Sequence, residues 1–215
     1  MTKYKAVIFD LDGTLLNTSE GIISSVKYTI EKMGFEPLDE DVLTSFIGPP
    51  VQNSFQRVYN LDEETKNKVA AIFREHYSTV DLCKAKLYDG VIETLAQIRQ
   101  KAIKIGVATY KRKDYARTIL DEFGISEYCD SIVGSDFEGK FAKSDIINIC
   151  IDSLHVEKSD VVMVGDTEHD LFGAQNIGVD FLAVTYGFGF KTISENVCKV
   201  NCFTEIFDCL FLDYC

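Results

Sequence analysis

The sequence is short of basic residues. Lysine and arginine number 22 against 34 aspartates and glutamates, a formal net charge of −12. Such a surface excludes non-specific nucleic-acid binding and docking on anionic membranes, both of which need basic faces. An anionic ligand would need a local cluster of lysine and arginine to overcome the global field. Long apolar runs are missing too. None approaches the length of a membrane span, and the one early run, Ala6–Phe9, is too short for the core of a secretory signal. The seven cysteines (83, 129, 150, 198, 202, 209 and 215) are odd in number and form no Cys-x-x-Cys pair. Reduced thiols and a cytoplasmic location are therefore expected. The three histidines lack zinc spacing. His76 reads as half-buried on the apolar face of a helix, His155 as a helix end, and His169 stands between Glu168 and Asp170. Internal repeats and low-complexity segments are also absent.

What is present is a globular composition, 46% hydrophobic and 26% charged. A chain of 215 residues can bury a core without staples and fits one domain plus a smaller insert. Short β-rich runs at Ala6–Phe9, Ile103–Ala108, Ser131–Val133, Val161–Val164 and Phe181–Val184 alternate with helical periods such as Val91, Leu95, Ile98 and Ile146, Ile147, Cys150, Leu154. This alternation predicts an α/β fold: a Rossmann-like, doubly wound parallel sheet covered on both faces. Between residues 19 and 80 the alternation stops. Ile22, Val26, Ile30, Met33 and Val69, Ile72, Phe73, Tyr77 recur at helical spacing, without a clear strand. We expect an all-helical insert over 17–85, with 1–16 and 86–215 forming the α/β core. The closing residues Ile206, Phe207, Leu210 and Phe211 read as a core-packing helix or strand.

Ligands of open α/β sheets bind beyond the carboxyl ends of the strands. Here those ends carry Asp10 and Asp12 with Gly13-Thr14; Thr109 and Tyr110; Ser135 and Asp136 with Lys140 and Lys143 close behind; and Asp166 with Glu168 and Asp170. Carboxylates from two strand ends suit a hard dication such as Mg²⁺. Of Asp10 and Asp12, one can serve as nucleophile and the other as acid and base. Thr109, Tyr110 and Lys143 (or Lys140) are candidates for holding a phosphoryl group. The Lys111-Arg112-Lys113 run, taken alone, reads as a solvated face. Glu168 and Asp170 also fit an ordinary acidic first turn of a helix. Two other patterns fail on inspection. An EF-hand loop from Asp10 would put Thr14, Leu15 and Gly21 where Asp/Asn, Gly and Glu are needed. Gly134–Phe141 matches a P-loop except at Phe141, where Ser or Thr must reach the metal.

At these residues the sequence resembles the haloacid dehalogenase superfamily of phosphohydrolases. Phe9-Asp10-Leu11-Asp12-Gly13-Thr14-Leu15 is similar to its first motif, Val107-Ala108-Thr109 to the second, Lys143 to the third and Val164–Asp170 to the fourth. The helical insert lies where the family carries a cap. Ser144 follows the third-motif lysine where Pro is frequent, and Asn17 stands where many relatives have Asp. Ile47-Gly48-Pro49-Pro50 and the Glu168-His169-Asp170 variant are similar to the phosphoglycolate phosphatase-like and 5′-nucleotidase-like members. The resemblance implies that Asp10 attacks phosphorus and Asp12 protonates the leaving alcohol, then activates water. It implies Mg²⁺ held by Asp10, the Asp12 backbone carbonyl and Asp166, with Asp170 in or near the outer shell. It implies a small phosphate ester as substrate. The strand ends handle only the phosphoryl group, so the insert is left to read the leaving group; its stiff turn puts Gly48, Pro49 and Pro50 forward for that role, with a plain connector between two helices as the other reading. A monomer or small homo-oligomer is expected. A phosphomutase of the same superfamily, or a non-catalytic phosphoryl-binding regulatory domain, are the competing readings. The regulatory domain should have lost one of Asp10, Asp12, Lys143 or Asp166, and all four are present.

Overall fold

The computed structural model describes residues 3–136, 140–190 and 193–211. In chain order the strands are β1 (Ala6–Phe9), β2 (Leu16–Asn17), β3 (Lys86–Leu87), β4 (Lys104–Arg112), β5 (Ser131–Ser135), β6 (Val161–Gly165), β7 (Asp180–Val184) and β8 (Lys199–Val200). The helices are α1 (Ser19–Met33), α2 (Glu40–Thr44), α3 (Val51–Tyr59), α4 (Glu63–His76), α5 (Val91–Gln100), α6 (Lys113–Glu122), α7 (Lys143–Leu154), α8 (Glu168–Asn176) and α9 (Glu205–Phe211). Six strands form one sheet in the order β5-β4-β1-β6-β7-β8, every neighbouring pair parallel. β1 therefore runs up the middle, and the strand order reverses around it. That reversal opens a crevice beyond its carboxyl end, at Asp10.

A central parallel strand is covered on both faces, so it reads as a continuous apolar run. All four β1 residues are buried. Val7 and Phe9 belong to the core on one face, with Leu95, Ile98 and Ile119; Ala6 and Ile8 belong to the other, with Ile146, Ile147 and Leu154 of α7. Helix α1 stops at Gly34, whose φ of 66° is left-handed and whose N–H returns to the carbonyls of Ile30 and Glu31. Helix α4 starts at Asp62, whose carboxylate accepts the Thr65 N–H at 2.8 Å.

The structure extends the expected strands in several places. β4 runs on to Arg112, so Thr109 and Tyr110 lie inside the strand rather than after it, and its register on β5 shifts between Thr109 and Arg112. Helices α1 to α4 and a π-helical turn at Tyr77–Asp81 fill the segment read as helical. At its two edges β2 and β3 pair antiparallel, a short two-strand ribbon that no periodicity announces. β8 was not anticipated, and the closing segment is helix α9 with Ile206 and Leu210 buried. Cys83, Cys129, Cys150, Cys202 and Cys209 are free thiols, as expected. Cys198 is not: it is disulfide-bonded. Cys215 and residues 137–139 of the P-loop-like stretch also lie outside them. Among the described residues no helix is long and apolar enough to cross a membrane.

Candidate active site

Beyond the end of β1 the chain turns sharply through Leu11–Leu16, with the N–H groups of Thr14, Leu15 and Leu16 all returning to the Leu11 carbonyl. Gly13 makes the turn possible in two ways. Its φ is +85°, and a Cβ there would collide with the Asp166 carboxylate. The result is a tight stack of acids from two strand ends. Asp10, Asp12, Asp166 and Asp170 are all buried, as are Thr109 and Lys143.

Lys143, the first residue of α7, organises one side. Its Nζ donates to Asp10 Oδ1 at 2.6 Å and lies 2.6 Å from Asp170 Oδ1. Tyr110 fixes where α7 begins, because its hydroxyl accepts the Lys143 backbone N–H at 3.0 Å. Asp170 is set by a capping box at the start of α8. Its Oδ2 accepts from the Thr167 N–H at 3.0 Å and the Thr167 hydroxyl at 2.6 Å, which leaves Oδ1 facing Lys143. Asp166 accepts from Phe188 N–H at 2.7 Å and from the Thr14 hydroxyl at 3.3 Å. Thr109 Oγ1 accepts the Lys111 N–H at 3.2 Å.

Asp10, Asp166 and Asp170 each offer an oxygen within 4.8 Å of the others. Three buried carboxylates against one lysine are poorly balanced. Burial pushes Asp10 up to about 7; Lys143 opposes the shift, and the neighbouring charges of Asp170 and Asp12 add to it. Burial, then Asp170 and Asp10, hold Asp166 well above the usual carboxylate range. Burial works against the Lys143 charge, but Asp10 and Asp170 outweigh it and raise its pKa. An excess of hard oxygen donors that repel one another is what a dication relieves, so the residues fit Mg²⁺. The cluster contains Asp170 itself and not the Asp12 carboxylate. The family resemblance puts Asp170 in or near the outer shell and gives Asp12 only a backbone ligand.

Asp12 points elsewhere. Its Oδ1 accepts from the Thr18 hydroxyl at 2.7 Å and pairs with Lys111 Nζ at 3.1 Å. Lys111 Nζ also donates to the Tyr77 hydroxyl at 2.9 Å. Burial again opposes the lysine's charge, and Asp12 and Tyr77 more than restore it. The solvated-face reading of this run thus fails for Lys111, which is 9% exposed. It holds for Lys113, which is exposed. Lys111, Thr18 and Tyr77 are the site residues that sequence reasoning missed. Lys111 had a usable signal: it lies two residues past Thr109 on one strand, hence on the same face.

Lys140 is exposed, whereas Lys143 is buried and paired with Asp10. Glu168 is exposed and takes no part in the cluster. His169 is exposed and meets the Tyr110 ring edge-on, with centroids 5.6 Å apart. Gly48, Pro49 and Pro50 line a pocket shared by Asp12, Tyr110 and Lys111, between the inserted helices and the end of β4. A Cβ on Gly48 would sit 3.9 Å from the Thr167 methyl, so the turn lies directly over the loop after β6.

This arrangement has known counterparts. The haloacid dehalogenase-like hydrolase family model matches residues 7–184. A 5′-nucleotidase of Pseudomonas aeruginosa is 34% identical over 188 residues, 87% of this chain and 85% of that protein. The tyrosine-protein kinase PtkA of Mycobacterium tuberculosis is 34% identical over 184 residues, 85% of this chain but only 62% of that one. The crystal structure of a predicted phosphatase from Clostridium acetobutylicum superposes with a TM-score of 0.89 at 36% identity, covering 95% of this chain and 97% of that one. With the match spanning β1 to β7 and every strand end that builds the site, the chain belongs to the haloacid dehalogenase-like hydrolase family.

Proposed function

We propose that this protein is a Mg²⁺-dependent phosphatase that hydrolyses a small phosphorylated metabolite, such as phosphoglycolate or a nucleoside monophosphate, through an aspartyl-phosphate on Asp10. The observation that carries the reading is the division of labour between two neighbouring acids. Asp10 lies in the buried cluster with Lys143, Asp166 and Asp170, and Asp12 turns away onto the pocket.

Asp10 attacks phosphorus and the ester oxygen leaves with a proton from Asp12. Asp12 then takes a proton from water, whose oxygen attacks the aspartyl-phosphate and frees inorganic phosphate. Lys143 and Thr109 hold the equatorial oxygens in this scheme. Asp10 and Asp166, with Asp170 beside them, would hold the metal, which when bound neutralises charge on the phosphoryl group. Residues 17–85 act as the cap that covers the site and excludes water. A screen of phosphorylated metabolites with Mg²⁺ tests the reading directly. Release of phosphate from at least one ester supports it; none from any ester would sink it.

Lys111 is a positioning residue in this scheme. It holds Asp12 toward the pocket and ties it to Tyr77 at the far end of the inserted helices. Lys111→Met should lower kcat by roughly a hundredfold, since Asp12 keeps only Thr18 as partner. Lys111→Arg should recover part of the loss. Equal damage from both substitutions would argue that the site needs the lysine's shape and not its charge.

The turn at Gly48 gives a specificity test. Its φ of +99° makes any side chain strained there, so Gly48→Ala should cost about 1–2 kcal/mol locally and shift the turn. The kcat/KM of the best ester should fall by about tenfold, while acetyl phosphate, which reaches little of the insert, is hydrolysed nearly as before. Matching losses on both substrates would separate the turn from leaving-group recognition.

A further inference from the structure

The pocket that opens from Asp12 runs between α4 and the β4–α6 junction, and is walled by Phe46, Phe73, Tyr77 and Tyr115. Three cations line it, and they are not equivalent. Lys111 is committed to Asp12 and Tyr77. Arg112 is held by the Asp114 carboxylate through two bonds, at 3.0 and 2.5 Å, and lies over the Tyr115 ring. Arg74 is different. Among the described residues no carboxylate pairs with it, and its one side-chain hydrogen bond is to the neutral Gln52 amide oxygen, at 3.3 Å. It is half-buried. Burial and then the nearby Arg112 charge make its own charge costlier than usual. A half-buried guanidinium without a counter-ion is expensive to keep in a folded protein. On the same wall Ser135 is buried, and among the described residues its hydroxyl has no hydrogen-bond partner. An open guanidinium fork matches the paired oxygens of a carboxylate or phosphate.

From this pocket we infer that the alcohol released at Asp12 carries a second anionic group, a carboxylate or a phosphate, and that Arg74 reads it. The inference rests on the phosphatase reading and narrows it to esters with an anion at each end. The phosphoryl end would sit at Asp10 and the second anion at Arg74, with the connecting carbons against Phe73 and Tyr77. A nucleoside monophosphate, whose leaving group is neutral, is disfavoured: the aromatic walls would suit a base, but Arg74 would stay unpaired.

Binding to Asp10→Asn protein, measured by calorimetry with Mg²⁺, decides the matter. The probes are 2-phosphoglycolate for a carboxylate, propane-1,3-diyl bisphosphate for a second phosphate, ethyl phosphate for neither, and adenosine monophosphate for a base. One of the first two should bind at least about tenfold tighter than ethyl phosphate, and which one identifies the anion. Adding Arg74→Gln should erase that preference and leave ethyl phosphate within about twofold, while Arg74→Lys keeps part of it. No preference in Asp10→Asn protein, or a preference that survives Arg74→Gln, would overturn the inference. So would adenosine monophosphate binding tightest regardless of residue 74. Hydrolysis by the unsubstituted enzyme is scored separately. No turnover of any ester, with the Arg74-dependent preference intact, would fault the phosphatase reading alone.

Discussion

Asp10→Asn protein should fold normally and lose turnover by several orders of magnitude, as when a nucleophile is removed from a concerted site. An amide is a poor nucleophile, and the substitution also removes a negative charge from the cluster that would bind the metal. The fold itself should not suffer. Burial already pushes Asp10 up to about 7, so its charged form is disfavoured where it stands. Asn matches its shape, and its amide oxygen can still accept from Lys143, which keeps Asp170 as its second partner. Thermal unfolding of metal-free protein near neutral pH should therefore show a melting temperature that is unchanged or higher. Residual activity within about a hundredfold of the parent would sink the covalent mechanism, because general-base attack by water would then suffice. Lost activity together with a lowered melting temperature would mean instead that Asp10 is needed to build the site.

These contrasts show which parts of the site could be read from the chain. β1 was legible because a central parallel strand needs four consecutive apolar residues, and Ala6–Phe9 is bounded at once by Asp10. The acids after β1 and β6 were legible for the same reason: each follows a clear apolar run. Lys111 was hidden by its neighbours, since three consecutive cations look like surface. Its partner Asp12 lies on another strand end and Tyr77 on an inserted segment, contacts that no local pattern reports. The same polar run hid the last residues of β4. The β2–β3 pair is two residues per strand, too short for any period to register. Asp170 could be read two ways, as helix-start acid or as site residue. The capping box shows that it is both: one oxygen caps α8 and the other faces Lys143.

The acid cluster predicts how metal and pH act together. In metal-free protein Asp10 and Asp166 have pKa values raised above those of the unfolded chain. A raised folded pKa gives stability that is full below the ordinary carboxylate range and is lost as pH rises through the folded value, near 7 for Asp10. The melting temperature of EDTA-treated protein should therefore fall between about pH 5 and pH 8. Millimolar Mg²⁺ should raise it again at pH 8 and do little at pH 5, where protons already occupy the carboxylates and compete with the metal. EDTA should also silence hydrolysis, and Mg²⁺ restore it. Asp166→Asn separates the ligand from the scaffold. Its amide oxygen can still accept from Phe188 N–H, so the turn survives, but one of the repelling charges is gone. The metal-free variant should melt higher than the parent at pH 8, yet need at least about tenfold more Mg²⁺ for half-maximal activity, since a carboxylate ligand is lost. An unchanged Mg²⁺ titration would remove Asp166 from the metal site. Full activity in EDTA would remove the metal from the reaction, and would leave Lys143 as the cation that balances Asp10 and the phosphoryl group.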